Sequence, residues 1–315
     1  MLSKLNVIEQ CDKFPYPTKE PDLYTAQLKS FYKFHVEGCP ATLGWMLEST
    51  VRIIQWPENW KIDHDDKTVI LAGTSVTERS ARMMEVLQAE RTRESFKVLK
   101  GWRNELFPVY GPEHELLLSI ERAGSPLFGI MIYGVHMNAY IVEDGKIKYW
   151  VGQRSQNKQT YPGLLDNSVG GGIATGGAPL DTMVQESVDE AAFPEELLRQ
   201  SLRPVGAVTY FDVRDERAGG ETGLLQPECI YVYDILLPSG VIPKPADDEA
   251  EKFHLMDVDV LQTKLSEGKF KTNCGLVIVD FLIRHGIVTP ENEKDYIEIL
   301  ARLHRHLEFP TGRSW

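Results

Sequence analysis

The sequence predicts an α/β protein in two parts, a smaller leading domain over residues 1–128 and a larger layered domain over residues 129–315. Three observations carry this. A chain of 315 residues is about two domains' worth at roughly 150 residues each. After about Gly124, β-rich runs alternate with helical patterns, as strands covered by helices do. Hydrophobic residues make up 42% and charged residues 25%, a mix that supports packed cores rather than disorder.

The elements follow in order. The opening stretch is polar and carries Pro15, Pro17 and Pro21. It is expected to wrap onto the body before a first helix near residues 22–34. VRIIQ (Val51 to Gln55) reads as a strand, and Thr68 to Leu71 continues the sheet. Thr77 to Ala89 reads as an amphipathic helix capped by Thr77, with Met83, Met84, Val86 and Leu87 on its apolar face. In the second part, residues 128–133 and 137–142 read as strands. Asp144-Gly145 signals a hairpin whose return strand covers 148–152. A helix over 180–192 stops at Pro194. Strands at 205–211 and 229–236 follow, and helices at 273–285 and 291–306 close the chain.

Charge and cysteine content exclude several functions. Subtracting 46 Asp+Glu from 34 Lys+Arg gives −12. That balance argues against binding nucleic acid or anionic membrane through a cationic surface. No apolar run approaches the ~20 residues of a membrane span, and the start turns polar too early for a secretory signal. Cys11, Cys39, Cys229 and Cys274 form no CxxC pair, so they read as reduced thiols of a cytoplasmic protein.

The chemistry concentrates in GGGIATGG (Gly170 to Gly177) and the helix after it. Glu186, Asp189 and Glu190 stand at i, i+3 and i+4, which places three carboxylates on one helix face. Like charges so placed repel, and a divalent cation would turn the repulsion into binding. Oxygen ligands at this spacing suit Mg²⁺ or Mn²⁺. Taken alone, the cluster also fits an ordinary solvated acidic face. The glycine run offers backbone N–H groups to a phosphate, with Gly171 and Gly172 as the candidates. It matches neither the P-loop nor the dinucleotide-binding fingerprint.

Together these residues resemble the Nudix box, Gx5Ex7REUxEExGU, with Gly171 at its first glycine. The RE pair falls on Gln185-Glu186, the EE pair on Asp189-Glu190 and the closing pair on Ala192-Phe193. Gly177 stands where the first Glu belongs, Gln185 replaces Arg, Ser187 replaces a bulky apolar residue, Asp189 is a shortened Glu and Ala192 replaces Gly. Three further phrases widen the resemblance to nearly the full chain: FGIMIYGVHMNAYI (Phe128 to Ile141), YWVGQRSQNKQTYPGLLDNSVGGGIATG (Tyr149 to Gly176) and FKTNCGLVIVDFLIRHG (Phe270 to Gly286). With GWRNELFPVYG (Gly101 to Gly111), they are similar to a plant and fungal branch of Nudix hydrolases labelled thiamin pyrophosphokinase-related.

That resemblance implies an α/β/α sandwich with a mixed sheet behind a smaller α+β N-terminal domain. It implies Mg²⁺- or Mn²⁺-dependent hydrolysis of a small-molecule diphosphate, with Glu186, Asp189 and Glu190 as metal ligands and Glu186 and Glu190 foremost. A base comes from this set or from a later loop, where Glu249 and Glu251 are candidates. Arg154 and Lys158, in a stretch without acids, are expected to meet phosphate. Tyr133, Tyr149, Trp150 and Tyr161 are candidate cleft walls, and His136 a candidate lining residue. The branch implies thiamin diphosphate-like substrates, notably damaged oxo- and oxythiamin diphosphate. A nucleoside di- or triphosphate, or a degenerate binding module without turnover, are the other readings. The leading domain is expected to shape substrate choice or to form a homodimer. His304 and His306, about 200° apart on a helix, are not a metal pair. Cys274 reads as a buried small residue, and Arg284-His285 as cations on a helix dipole.

Overall fold

In the computed structural model, which describes residues 1–158 and 160–312, the chain opens with α1 (Lys4–Glu9). Its Ser3 cap and the Asn6 side chain exchange hydrogen bonds in a capping box. After α2 (Pro21–Leu28) come β1 (Phe31–Val36), β2 (Gly44–Leu47), α3 (Glu48–Ile53), β3 (Trp60–Asp63) and β4 (Thr68–Leu71). The four strands form one mixed sheet in the order β2-β1-β4-β3, with β1 and β4 parallel. α4 (Val76–Thr92) covers it through Met83, Val86 and Leu87. The hairpin β5 (Leu106–Tyr110) and β6 (Leu116–Glu121) and the short α5 (Ser125–Phe128) complete this part.

Several expectations are corrected here. The first helix is α1, and α2 ends at Leu28 because Phe31 enters a strand. The VRIIQ segment lies mostly in α3, where Thr50, Val51 and Ile54 face the core and Arg52 pairs with Glu48 one turn back at 2.6 Å. The cap of α4 is Ser75, which accepts from the Glu78 amide, rather than Thr77.

The second part begins with β7 (Ile132–Glu143), one long strand where two were expected. The Asp144-Gly145 turn, with φ of 51° and 73°, leads into β8 (Lys146–Arg154). Then come β9 (Leu165–Asp166), β10 (Val169–Gly172), α6 (Pro179–Ala191), α7 (Glu195–Ser201), β11 (Arg203–Val213), β12 (Leu225–Leu236), β13 (Ala250–Asp257), α8 (Val258–Ser266), α9 (Thr272–Arg284) and α10 (Tyr296–Leu303). Seven strands form a mixed sheet in the order β11-β12-β7-β8-β13. β10 adds to β7 and β9 to β8, and β12 runs parallel to β7.

Period-2 alternation splits the strands between two cores. Tyr133, Val135, Met137 and Ala139 join Met183 and Val184 of α6. Val208, Tyr210, Ile230 and Val232 join Leu276 to Leu282 of α9. The result is an α/β/α sandwich. α9 is buried from Thr272 to Leu282, as an all-round apolar helix must be, because α1 covers its far side with Val7 and Ile8. The first fourteen residues therefore pack with the second part. Phe14 packs at a tilt on Phe211 with ring centroids 4.6 Å apart, and its amide donates to the Phe211 carbonyl.

The two parts interlock through backbone. Gly44 bridges to Ile130, and Gly129 sits in the left-handed region at φ 58°. A Cβ at Gly129 would fall inside contact distance of the Trp45 carbonyl oxygen. Gly129→Ala should therefore lower stability by about 2 kcal/mol or more, since left-handed strain of ~1–2 kcal/mol adds to the clash. Gly145→Ala, at φ 73° with open space around it, should lose only the strain. Urea unfolding of both variants checks this, and equal losses would contradict the interlock. At the end of α6, Ala192 closes the helix in the left-handed region at φ 53°, the position that favours glycine. Ala192→Gly should raise stability by about 1 kcal/mol, measured the same way.

Candidate active site

The site is built where α6 lies against β10. β10 is a strand over Gly170, Gly171 and Gly172, paired with His136, Val135 and Gly134 of β7. The glycines therefore form a strand and not a loop, and the turn begins only after them. Their role is close approach. A Cβ at Gly171 would collide with the Glu186 carboxylate, and one at Gly172 with the Phe107 ring. α6 starts at Pro179 without a side-chain cap and buries Met183, Val184, Ser187 and Ala191. That register sets Glu186 and Glu190 against β10. The Gly170 amide donates to Glu190 Oε2 at 3.4 Å.

The two carboxylates are electrostatically strained. Burial, before any other cause, pushes Glu186 up to about 7, with Glu105, Glu249 and Asp189 adding to it and Arg122 opposing. Burial pushes Glu190 well up, with the charges of Glu186, Asp166 and Glu249 behind it. Neither carboxylate makes an ion pair with a Lys or Arg among the described residues. Asp189 is exposed and accepts from Gln185 Nε2 at 2.7 Å, so the replaced Arg position turns to a neighbour on its own helix. The described residues contain no ready-made group of three metal-ligating side chains. The pair Glu186 and Glu190 is what the fold assembles, with Asp189 at its rim. Two carboxylates suit Mg²⁺, which binds one or two of them and completes its shell with water and phosphate oxygens. The unneutralised charge fits such a cation.

Glu249 joins the pair from the segment before β13. The Ala246 amide donates to the Glu190 carbonyl and the Ser155 amide to the Glu249 carbonyl at 3.0 Å, which draws this segment over the end of α6. Glu249 pairs with Lys158, and with Arg103 at 3.6 Å. Burial pushes its carboxyl up, but Lys158 more than offsets this, so it lies below its ordinary range. Glu251 is exposed on β13.

Arg154 corrects an expectation. It is buried, and its guanidinium donates to Asp166 at 2.7 Å, to the Thr160 carbonyl at 2.9 Å and to the Tyr161 carbonyl at 3.2 Å. Those donors hold the loop and are not offered to a phosphate. Among the aromatic candidates, Tyr133 and Tyr161 line the adjoining cleft. Tyr149 is in the core, hydrogen-bonded to Asn138 at 2.6 Å, and Trp150 is buried in the sandwich. Cys274 is buried as expected. Arg284 and His285 do more than meet a helix dipole, since both bind Asp234, at 2.5 and 3.0 Å.

The cleft, about 600 Å³, opens beside the glycine strand and runs between the two parts of the chain. Lys97, Lys100, Arg103, Arg122, Lys158 and Lys271 stand along it. In a chain of charge −12 this local excess is a phosphate-attracting field. Its buried lining is different: Asp212, Glu228 and Tyr210 belong to it. Glu228 accepts from the Tyr210 hydroxyl. Burial pushes Asp212 up to about 6 although Lys13 reaches it at 3.0 Å. Sequence reading missed the cations of the leading part and Lys271. The spacing of Lys97, Lys100 and Arg103 was the available signal.

A sandwich with two half-buried helix carboxylates, a glycine strand and a cation-lined cleft has the frame of a phosphate-handling protein. Residues 5–132 match the family described as "Domain of unknown function (DUF4743)". The chain is 35% identical over 260 residues to the uncharacterized protein YJR142W of Saccharomyces cerevisiae, covering 81% of this chain and 76% of that one. It is 38% identical over 208 residues to Nudix hydrolase 20, chloroplastic, of Arabidopsis thaliana, covering 65% of this chain. It is 36% identical over 225 residues to Nudix hydrolase 24, chloroplastic, of the same plant, covering 68%. It spans 53% and 59% of those two plant proteins. The chain belongs to the Nudix hydrolase superfamily. No described helix is long and apolar enough to cross a membrane.

The strained pair makes a pH prediction. Glu186 titrates at about 7 when folded against 4.5 ordinarily, so between those values the folded state holds more protons. Stability then falls as pH rises through that window. Without divalent metal, urea unfolding should show this decline, and Glu186→Gln should flatten it. A variant curve parallel to the wild type would remove Glu186 from the cause.

Proposed function

We propose that this chain is a divalent-metal-dependent diphosphatase acting on thiamin diphosphate-like molecules. Damaged forms such as oxo- and oxythiamin diphosphate are its intended substrates, and monophosphates its products. The observation that carries the hydrolytic reading is the pair Glu186 and Glu190, half-buried without an ion-pair partner among the described residues and set against a strand whose glycine at 171 admits the Glu186 carboxylate.

In this reading Glu186 and Glu190 hold Mg²⁺ or Mn²⁺, with Asp189 supporting from the rim. A cation bound there polarises the phosphoryl oxygens and lowers the pKa of its water. The chain's own residues do the positioning, which dominates phosphoryl transfer. Gly171 admits the Glu186 carboxylate against the strand, and the backbone of Gly171 and Gly172 on the cleft wall is offered to the diphosphate. Arg103, Arg122 and Lys158 set positive charge along its path. Glu249, kept ionised beside Lys158, is the candidate base for the attacking water. The anhydride P–O bond breaks, leaving a monophosphate and inorganic phosphate.

The buried lining of the cleft supports the finer substrate. Carboxylates at Asp212 and Glu228 and the ring of Tyr161 complement the thiazolium cation of thiamin and oxythiamin diphosphate, a charge that the oxo form lacks. The leading part supplies four of the lining cations, Lys97, Lys100, Arg103 and Arg122, consistent with a role in substrate choice.

The test is turnover with Mg²⁺ of thiamin, oxythiamin and oxothiamin diphosphates beside ATP, an oxidised nucleoside triphosphate and a nucleotide sugar. The thiamin compounds should be cleaved fastest. Glu186→Gln and Glu190→Gln should each lower kcat by about 10²-fold or more. Faster turnover of nucleotides would remove the thiamin reading. Unchanged turnover in both variants would remove the metal placement. A diphosphate that raises Tm without being cleaved would favour a binding module.

A further inference from the structure

A chain of buried side-chain hydrogen bonds runs from the end of α9 to the cleft. Arg284 and His285 hold Asp234 of β12. Burial pushes that carboxyl up, but His285 and Arg284 more than offset it, so Asp234 lies below its ordinary range. Asn138 Nδ2 donates to Asp234 Oδ1 at 2.8 Å. The Tyr149 hydroxyl donates to Asn138 Oδ1 at 2.6 Å. Asn167 Nδ2 donates to the Tyr149 oxygen at 3.1 Å. Asn167 Oδ1 then faces His136 Nδ1 at 2.6 Å.

The direction of this chain is forced. A carboxylate only accepts, so Asn138 must present its amide nitrogen to Asp234 and its oxygen to Tyr149. Tyr149 must therefore donate, and Asn167 must give it an N–H. That leaves the Asn167 oxygen for His136, and an amide oxygen cannot donate. His136 Nδ1 must carry the proton. Reversing either amide would set two donors or two acceptors face to face in a buried site, at the cost of an unsatisfied group. Burial, with Lys271 beside it, pushes the imidazole down and keeps it neutral, against Asp166 and Glu228. Nε2 is then a bare lone pair. His136 lines the cleft beside Gly170, and Nε2 has no partner among the described residues.

We propose that His136 is a substrate-recognition residue: its Nε2 accepts a hydrogen bond from an N–H or O–H group on the organic part of the substrate, and the chain from Asn167 to Asp234 fixes the tautomer that aims this acceptor into the cleft. Nothing in the family box requires this residue, which lies on β7 outside it. The proposal takes its ligand class from the diphosphatase reading, and it takes the tautomer from the structure alone.

Two variants separate recognition from a packing role. An asparagine amide sits about where Nδ1 does, and a glutamine amide about where Nε2 does. His136→Asn keeps the bond to Asn167 and loses the cleft acceptor. It should raise KM about tenfold with kcat within about twofold, the effect of one lost hydrogen bond. His136→Gln restores an acceptor to the cleft and should hold KM within about threefold. A residue that served only the buried chain would give the reverse order, and that result overturns the proposal. The substrate is whichever diphosphate of the panel above is cleaved fastest. Nitrogen NMR of histidine-labelled wild-type protein gives a test that needs neither variant nor turnover. It should find His136 protonated on Nδ1, with Nε2 shifting when thiamin diphosphate saturates the protein in Ca²⁺. A proton on Nε2 overturns the proposal whatever the substrate. If no panel member is cleaved, the diphosphatase reading falls, and the tautomer still decides for or against the role of His136.

Discussion

The structure turns on the partial burial of two like charges. Glu186 and Glu190 lie one turn apart on α6, and the register that buries Met183, Val184 and Ser187 leaves them no other place. Isolated carboxylates in such a site either take up protons or acquire positive charge. The fold withholds an internal partner. Arg122, the cation that acts on Glu186, is committed to Glu105 at 2.7 Å, and Lys158 is committed to Glu249. A protein that only needed stability would place an apolar residue there. Retaining the pair is intelligible when something outside the chain brings the charge.

Other features follow from that constraint. The strand facing the pair must be thin, and three glycines make it so. Their absent side chains are a steric necessity, since a Cβ at Gly171 would occupy the Glu186 carboxylate itself. The α6 helix must stop before its last carbonyls collide with the crossing segment. Ala192 stops it in a conformation that glycine adopts without strain, while Lys244 and Ala246 bond to the helix end and carry Glu249 inward. The positive charge that stands near two anionic side chains comes from elsewhere in the chain. The leading part provides it, and the Gly44–Gly129 interlock fixes that part against the sheet.

Much of this was legible in the sequence, and the failures have physical reasons. The sandwich elements and the Glu186–Glu190 face follow from periodicity, because tertiary packing agrees with local pattern there. VRIIQ misled because β-branched residues favour strands only where a sheet edge is available. Here the segment follows β2 directly and packs as a helix through Thr50, Val51 and Ile54. Arg154 misled because charge is visible in a sequence and pairing is not. Asp166, twelve residues on, returns beside it only when β9 folds onto β8. Asp189 misled by half. Helical spacing places it near Glu186, but the α6 face that meets β10 is narrower than the three residues span. The cleft cations were missed because they come from the other part of the chain.

The polar chain behind His136 shows why those features belong to one design. A buried run of amides and a phenol has two possible directions, and nothing within Asn138, Tyr149 or Asn167 chooses between them. The choice is made at one end by a carboxylate that cannot donate. Asp234 stays ionised there because Arg284 and His285 grip it from the end of α9. The sheet conducts this choice to the cleft as a fixed proton position, without movement. The same helix, at its other end, places Lys271 at the cleft wall. α9 therefore places Lys271 on the cleft wall and, through Asp234, fixes the proton of His136 beside it. That accounts for a helix held by close packing on every side: a shift of α9 would disturb both at once.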